Sequence, residues 1–392
     1  MSELIAYQDA QRQLLARCLP LQPRAIAIGD ALGCVTSTAV AALDPVPAFA
    51  NTAMDGFAVR ADDTAAAPVT LEVVATIAAG ATGEGVVVGA GQAARIMTGA
   101  PIPAGADAVV MVELTSPDGD RVVVQQPVPA GNHIRHPGED IDAGAEVFAA
   151  GTLLGPGHLG VLANLDLRKV PVFPRARVGV LSTGDELVNG QIQDSNRPAL
   201  IALCRQSGFE PVDLGCVGDG RAVIEAALHS GAARTDAVVT TGGVSAGDFD
   251  FVKRILDTRL QVAIKPAKPL AFGLLDGTPV FGLPGNPVSS MVSFELFARP
   301  ALRQMMGFTG ADRFRPTVTG VADEDLRRRP DDRVHFARVV ASYDDGDGRW
   351  HVRSAGGQGS HQLLAMARAN AFAILPDGVG VLQGETVTVM LV

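Results

Sequence analysis

Two threonines, Thr240 and Thr241, end the apolar run of residues 237–239, and Gly242, Gly243 and Ser245 follow, with Asp248 and Asp250 just beyond. An apolar strand that breaks into hydroxyls and glycines brings main-chain N–H groups up to an anion, because glycine permits positive φ and close approach. Taken singly, this is an ordinary strand-to-helix turn. Two further segments share the grammar. Ser182, Thr183, Gly184, Asp185 and Glu186 follow the apolar residues 178–181, and Pro284, Gly285, Asn286 and Pro287 follow residues 280–283. Asn286 reads as a helix cap with Pro287 at the first helical position, so that helix start offers free N–H groups and a positive dipole end. No Walker A loop and no G-x-G-x-x-G fingerprint occurs, which argues against ordinary mononucleotide kinases and nicotinamide dehydrogenases.

The same loops gather carboxylates: Asp185, Glu186, Asp219, Asp248 and Asp250. Acids beside an anion site repel the ligand unless a hard cation bridges them, and Mg²⁺ on one or two carboxylates plus phosphate oxygens is the economical solution. Helix-start acids that complement dipoles account equally for Asp185 and Asp248. The metal is therefore assigned to Asp219 and Asp250, and polar contacts to Glu186. Lysine adds a second signal. Of 32 Lys plus Arg only four are lysine, and two of these, Lys265 and Lys268, stand three apart in Ile-Lys-Pro-Ala-Lys-Pro. An ammonium is a compact point charge suited to an oxyanion, where guanidinium asks for a planar bidentate partner. Two solvated lysines in a proline-stiffened loop is the other reading of that segment.

These loops need a scaffold, and residues 177–299 supply one by alternating strand and helix: strands near 177–181, 211–217, 237–241 and 279–282, helices near 199–207, 221–230, 251–258 and 288–299. That alternation predicts a doubly wound, mostly parallel α/β sheet whose strand ends face one crevice, with Pro300 closing the domain. Elsewhere the chain is different in kind. Residues 1–20 read as an amphipathic helix, 69–124 as short strands of a small separate β domain, 153–167 as a helix, and 168–177, with Pro171 and Pro174, as a linker. Residues 315–392 read as a small β-barrel or sandwich.

The bulk numbers set bounds. With 392 residues the chain holds two to four domains, and 47% hydrophobic against 19% charged residues describes a soluble globular protein. A net charge of −10 disfavours nucleic acid, and no apolar run spans a bilayer. The four cysteines are scattered, and no signal peptide is evident, so the expected compartment is the cytoplasm. His133, His136 and their neighbouring acids read as a solvated loop rather than a metal site.

Segments 51–59, 95–103, 138–141, 182–187, 241–250, 265–269, 282–289 and 359–361 resemble, in order, the successive motifs of the MoeA family of molybdopterin molybdenumtransferases, to which the C-terminal domain of gephyrin is related. Eight motifs in register are far more specific than any one. The resemblance implies a multidomain α/β plus β fold with four parts. These are an N-terminal mixed α/β region (1–45 and 141–172), an inserted β-rich domain (46–140), a molybdopterin-binding-like α/β domain (173–310) and a C-terminal β-barrel (311–392). It implies a homodimer that inserts molybdate into adenylylated molybdopterin and releases AMP with a divalent metal. Its partners would be a molybdopterin adenylyltransferase and downstream molybdoenzymes or their chaperones. By position Asp55, Thr98 and Asp140 match active-site groups of the N-terminal region, and Glu186, Asp219, Asp250, Lys265 and Lys268 those of the α/β domain. Ser289, Arg338 and Ser360 match oxyanion positions. Departures are small: Phe57 stands where tyrosine is common, His136-Pro137 where arginine often precedes Gly138, and Ala267 where glycine is frequent, which stiffens the loop. Two other classes are compatible with parts of the chain: an adenylyltransferase, recognised by ATP consumption, and a gephyrin-like scaffold, recognised by partners without molybdate turnover.

Overall fold

A parallel strand covered on both faces must be apolar throughout, and the central strands here are. The computed structural model describes residues 4–242 and 255–392. Gly243, Ser245, Asp248 and Asp250 lie outside the described residues. The described chain forms two units, one of Met1–Thr38, Gly151–Gly155 and Lys169–Val392, the other of Ala39–Ala150 and Pro156–Arg168.

In the first unit the α/β sheet is built from β1 (Arg177–Thr183), β2 (Glu210–Val217), β3 (Ala237–Thr241), β4 (Thr258–Gln261), β5 (Pro269–Leu275) and β6 (Thr278–Leu283), ordered β2-β1-β3-β6-β5-β4. The first four in that order run parallel, and β5 and β4 add an antiparallel edge. Helices α1 (Asn196–Gln206) and α2 (Arg221–Ala232) supply the crossovers. Val178, Val180, Val239 and Phe281 are fully buried. The doubly wound sheet is as expected, with two differences at its ends. Helix 251–258 falls mostly outside the described residues, and Thr258 opens a strand. The last helix continues past Pro300: α3 (Pro287–Ser293) passes through a π-turn at Phe294–Ala298 and resumes as α4 (Arg299–Met305). A proline inside a helix lacks an N–H and crowds the carbonyl four back, and the widened turn preceding Pro300 accommodates it.

The same unit ends in a barrel of β7 (Thr317–Ala322), β8 (Val334–Asp344), β9 (Arg349–Ser354), β10 (Ala371–Leu375) and β11 (Thr386–Leu391). The order β8-β9-β7-β11-β10 closes because β10 pairs back onto β8, with His335 opposite Leu375. Residues 168–177 are not a linker. Lys169–Phe173 is the central strand of a three-stranded sheet, between Arg24–Ala27 and Val35–Thr36. Its prolines disguised it, yet Pro171 still supplies a carbonyl, which accepts the Ser37 N–H at 3.0 Å.

The second unit carries a six-stranded sheet made from residues 56–124; the short β runs expected over 69–124 are there, and Gly56–Val59, which that expectation left out, joins them. Within it Gly56–Val59 lies between Gln92–Ile96 and Ala108–Met111. Gly56 is required there, because a Cβ would sit 2.0 Å from the Val110 carbonyl oxygen. The helix expected over 153–167 is shorter, Pro156–Asn164.

Candidate active site

In a parallel sheet the carboxyl ends of β1, β3 and β6 come out at one edge, and three turns there are hydrogen-bonded together. Thr183 Oγ1 donates to the Thr241 carbonyl at 3.3 Å, and Thr241 Oγ1 to the Pro284 carbonyl at 3.3 Å. Gly242 N–H donates to Leu283 at 3.2 Å, and Gly184 N–H to Val217 at 3.0 Å. Gly242 has φ +96°, and a Cβ on it would lie 2.5 Å from the Thr183 carbonyl oxygen, so no other residue fits. The structure thus brings Thr183, Gly184, Gly242, Pro284 and Gly285 together. Ser182 is different. It lies inside β1 with its hydroxyl buried and is not presented on the loop, because the strand runs two residues further than expected.

A residue that sequence reasoning passed over ties the turns. Asn196 Nδ2 donates to Thr241 Oγ1 at 2.8 Å and to the Gly285 carbonyl at 2.7 Å, bridging two of the three. Asn196 is itself held at the start of α1, where Asp194 Oδ1 accepts its N–H and that of Arg197, both at 3.1 Å. Arg197 in turn forks onto Asp213 at 2.8 and 2.9 Å, and that bond holds the Asp213 carboxyl below its usual range. The signal available was Asp194-Ser195-Asn196 opening a helix, which reads as no more than a cap.

Asp185 and Asp219 cap one another. Asp219 N–H donates to Asp185 Oδ1 at 3.0 Å, and Asp185 N–H to Asp219 Oδ2 at 3.2 Å. Asp185 is therefore structural, as its helix-start position suggested. Exposed Glu186 curls back over Gly184, where a Cβ would meet its carboxylate at 2.8 Å. Burial pushes the nearby Cys216 thiol up, and the charges of Asp194, Glu186 and Asp219 add to the rise against Arg197.

The lysine segment enters at the same edge. β5 runs antiparallel to β6 with Ala271 opposite Gly282, so Pro269 begins where Pro284 and Gly285 leave the sheet. Lys268 directly precedes it, is exposed, and has no ion pair among the described residues. Lys265 sits in a short strand, Ile264–Lys265, paired in parallel to Val334 and His335 of β8. Its Nζ is 3.8 Å from Asp331, a carboxylate already engaged by Arg328, Arg333 and His335, so the ammonium charge is only partly offset. Between the two lysines Ala267 adopts φ +80°, a left-handed conformation that glycine takes freely.

Arg338 is the least expected feature of β8. It is fully buried (0% exposed). Its Nη2 donates to the carbonyls of Gly357 at 2.7 Å and Gly359 at 3.2 Å, while Nε and Nη1 are buried without a partner among the described residues. Burial lowers its pKa, and unpaired buried donors are costly, so the site stores demand for an acceptor. Ser360 follows Gly359, and its carbonyl accepts the Val288 N–H at 3.2 Å, which sets it beside buried Ser289. Two expectations about that helix start are corrected. Asn286 occupies the cap position but its side chain makes no capping bond, and the Val288 N–H is not free for an anion, because the barrel supplies its acceptor.

In the second unit Asp55 and Thr98 are paired. The register that sets Gly56 opposite Ile96 brings them together, and Thr98 N–H and Oγ1 donate to Asp55 Oδ1 at 2.6 and 2.7 Å. Those two bonds, the amide first, hold the Asp55 carboxyl below its ordinary range. Asp140 lines a cavity in the same unit.

Three family profiles match the chain: MoeA N-terminal region (domain I and II) over residues 5–165, probable molybdopterin binding domain over 179–304, and MoeA C-terminal region (domain IV) over 319–392. Molybdopterin molybdenumtransferase 2 of Mycobacterium tuberculosis H37Rv is 38% identical over 95% of each chain. The molybdopterin molybdenumtransferase of Haemophilus influenzae is 36% identical over 98% of each. The molybdopterin biosynthesis moeA protein of Pyrococcus horikoshii OT3, a solved structure, aligns over 100% of both chains with a TM-score of 0.78 at 29% identity.

Proposed function

The chain belongs to the MoeA family, and from that premise we propose that it inserts molybdate into adenylylated molybdopterin and releases AMP, yielding molybdenum cofactor. The observation that supports this most is Arg338, a buried guanidinium with two donors unsatisfied among the described residues, beside the Gly359-Ser360 main chain that meets the helix bearing Ser289. Molybdate is a tetrahedral dianion rich in acceptor oxygens, and an arginine, two serine hydroxyls and the incompletely neutralised Lys265 and Lys268 are complementary to it. The turns at Thr183, Gly184, Gly242, Gly285 and Asn286 hold the adenylylated substrate at the carboxyl edge, where Glu186 orients its polar groups. Fixing two anionic reactants side by side supplies much of the acceleration.

A hard cation such as magnesium suits carboxylates plus substrate oxygens, and Asp219, whose Oδ2 accepts the Asp185 amide, has its other oxygen unpartnered among the described residues. Asp219 and Asp250 would hold it, and when bound it supplies Lewis-acid polarisation of the adenylyl phosphate. Asp55, Thr98 and Asp140 complete the site from a second copy of the chain in a homodimer. The enzyme works in the cytoplasm, receiving substrate from a molybdopterin adenylyltransferase and passing product to molybdoenzymes or their chaperones. The four domains are those bounded above, and no helix among the described residues is long and apolar enough to cross a membrane.

The test is Lys268→Ala and Arg338→Met assayed for molybdate-dependent AMP release. Both are expected to lose at least about tenfold in activity, with Lys268→Ala keeping the wild-type melting temperature. Wild-type turnover and molybdate affinity in both would remove the oxyanion assignment.

A further inference from the structure

Away from the candidate active site, a set of metal-ligand side chains gathers where β8 turns into β9. β8 ends at Asp344, six residues beyond Arg338, and the chain returns through Asp345-Gly346-Asp347-Gly348. Six residues of strand span roughly 20 Å, so this turn is separate from the proposed oxyanion groups. Among the described residues, Asp344, Asp347 and His351 are the one set of three acidic or histidine groups whose ligand atoms lie within 4.8 Å of one another. Gly346 N–H donates to Asp344 Oδ1 at 2.8 Å, and Arg349 N–H to Asp347 Oδ1 at 3.0 Å. Each carboxylate therefore uses one oxygen to hold the turn and presents the other.

Acids converging on a surface turn are not by themselves a site. The imidazole makes the difference, because it is oriented from outside the turn. His351 lies on β9 between Ser342 of β8 and Val321 of β7. Its Nδ1 meets Asp323 Oδ1 at 2.7 Å, and Asp323 is placed just past β7 by its N–H, which donates to the Val352 carbonyl at 2.9 Å. Nε2 is left to face the turn, 3.0 Å from Asp347 Oδ2. A carboxylate behind one ring nitrogen, with the other nitrogen aimed at further ligands, is how a metal-binding histidine is held in position. One imidazole with two carboxylates is a mixed nitrogen and oxygen set. Ca²⁺ and Mg²⁺ take oxygens, whereas imidazole suits Zn²⁺ and its first-row neighbours. Bonds of about 2.0–2.2 Å require ligand atoms about 3–4 Å apart, and rotation of the exposed Asp344 side chain supplies that contraction.

We propose that the β8–β9 turn binds a first-row divalent ion of the Zn²⁺ class through Asp344, Asp347 and His351 Nε2, with Asp323 orienting the imidazole and water completing the sphere. The ion takes the place of a proton on Nε2. It joins β8 to β9, and Asp323 extends the link to β7, so the site is a structural clasp on the barrel. It does not depend on the catalytic reading above.

The chain carries its own reporter. Its single tryptophan, Trp350, precedes His351 and stacks edge-on with Tyr343 at 5.8 Å. The test is titration of the untagged full chain, stripped with EDTA, with Co²⁺, which quenches nearby indole fluorescence, and in parallel melts with Zn²⁺. Saturable quenching at one Co²⁺ per chain is expected, reversed by Zn²⁺ and not by an equal concentration of Mg²⁺, together with a rise in Tm on adding Zn²⁺. Asp323→Asn and His351→Gln should each weaken Co²⁺ binding at least about tenfold. The competition uses wild-type protein and stands even if a variant misfolds. Absence of saturable quenching, displacement of Co²⁺ by Mg²⁺ as readily as by Zn²⁺, or unchanged affinity in folded Asp323→Asn and His351→Gln would each overturn the proposal. Co²⁺ that binds with no change at Trp350 sits elsewhere on the chain and overturns it too.

Discussion

At the scale of single residues, the account turns on groups whose neighbours leave something undone or hold it in place. Asp55 is held ionised by the Thr98 amide and hydroxyl. Because its folded pKa is depressed, the pair adds stability that is present above the ordinary carboxyl pKa and lost as pH falls through the lower folded value. Thr98→Val keeps the amide and removes the hydroxyl, so the Asp55 pKa should rise partway to normal in a carbon-13 NMR titration; an unmoved curve contradicts the assignment. Gly242→Ala places a methyl 2.5 Å from the Thr183 oxygen at φ +96°, and a loss of about 2 kcal/mol or more is expected in denaturant melts. These residues differ in legibility. Gly242 and the lysines stood out because their types are unusual in their context. Arg338 was reached only through the family resemblance, and nothing in a string of letters says that a guanidinium is buried with two donors unpartnered among the described residues.

At the scale of elements, the crevice depends on how strand ends are joined. Asn196→Ala removes both bonds to the turns, which should cost about 1–2 kcal/mol, speed hydrogen exchange at Gly242 and raise KM more than it lowers kcat. Unchanged KM would make Asn196 a helix-start residue only. In the barrel, His351 bridges Asp323 at 2.7 Å and Asp347 at 3.0 Å, and those bonds raise its pKa. A raised folded pKa means that the clasp contributes fully below pH 6.5 and fades as pH climbs through the folded value. His351→Gln should therefore flatten the pH dependence of barrel stability above pH 6.5, and an equal slope in thermal melts of both proteins would refute it. Strands β1, β3 and β6 were readable within two residues, because burial on both faces demands an unbroken apolar run. Lys169–Phe173 was not, because Pro171 and Pro174 mark a connection by every local rule and only long-range pairing to Arg24–Ala27 reverses that. The helix continued past Pro300 for a similar reason: a π-turn is invisible to periodicity.

At the scale of the whole molecule, the α/β sheet and the β character of 69–124 and 315–392 were legible as patterns; the residues alone left barrel or sandwich open at the C-terminal end and the resemblance named a barrel, because closure depends on β8 meeting β10 some forty residues later. The barrel sets the Ser360 carbonyl on the Val288 N–H at the start of α3 and pairs Lys265 with β8, so the groups proposed to bind the oxyanion come from the barrel as well as the α/β sheet. The oxyanion site as proposed therefore needs the barrel as well as the α/β sheet. The most direct measurement is to incubate the full chain with adenylylated molybdopterin and Mg²⁺, with and without molybdate, and to count AMP released against molybdenum bound in the pterin product. Molybdate-dependent release of one AMP per molybdenum inserted is predicted; AMP release that ignores molybdate, or AMP release without molybdenum insertion, would contradict it.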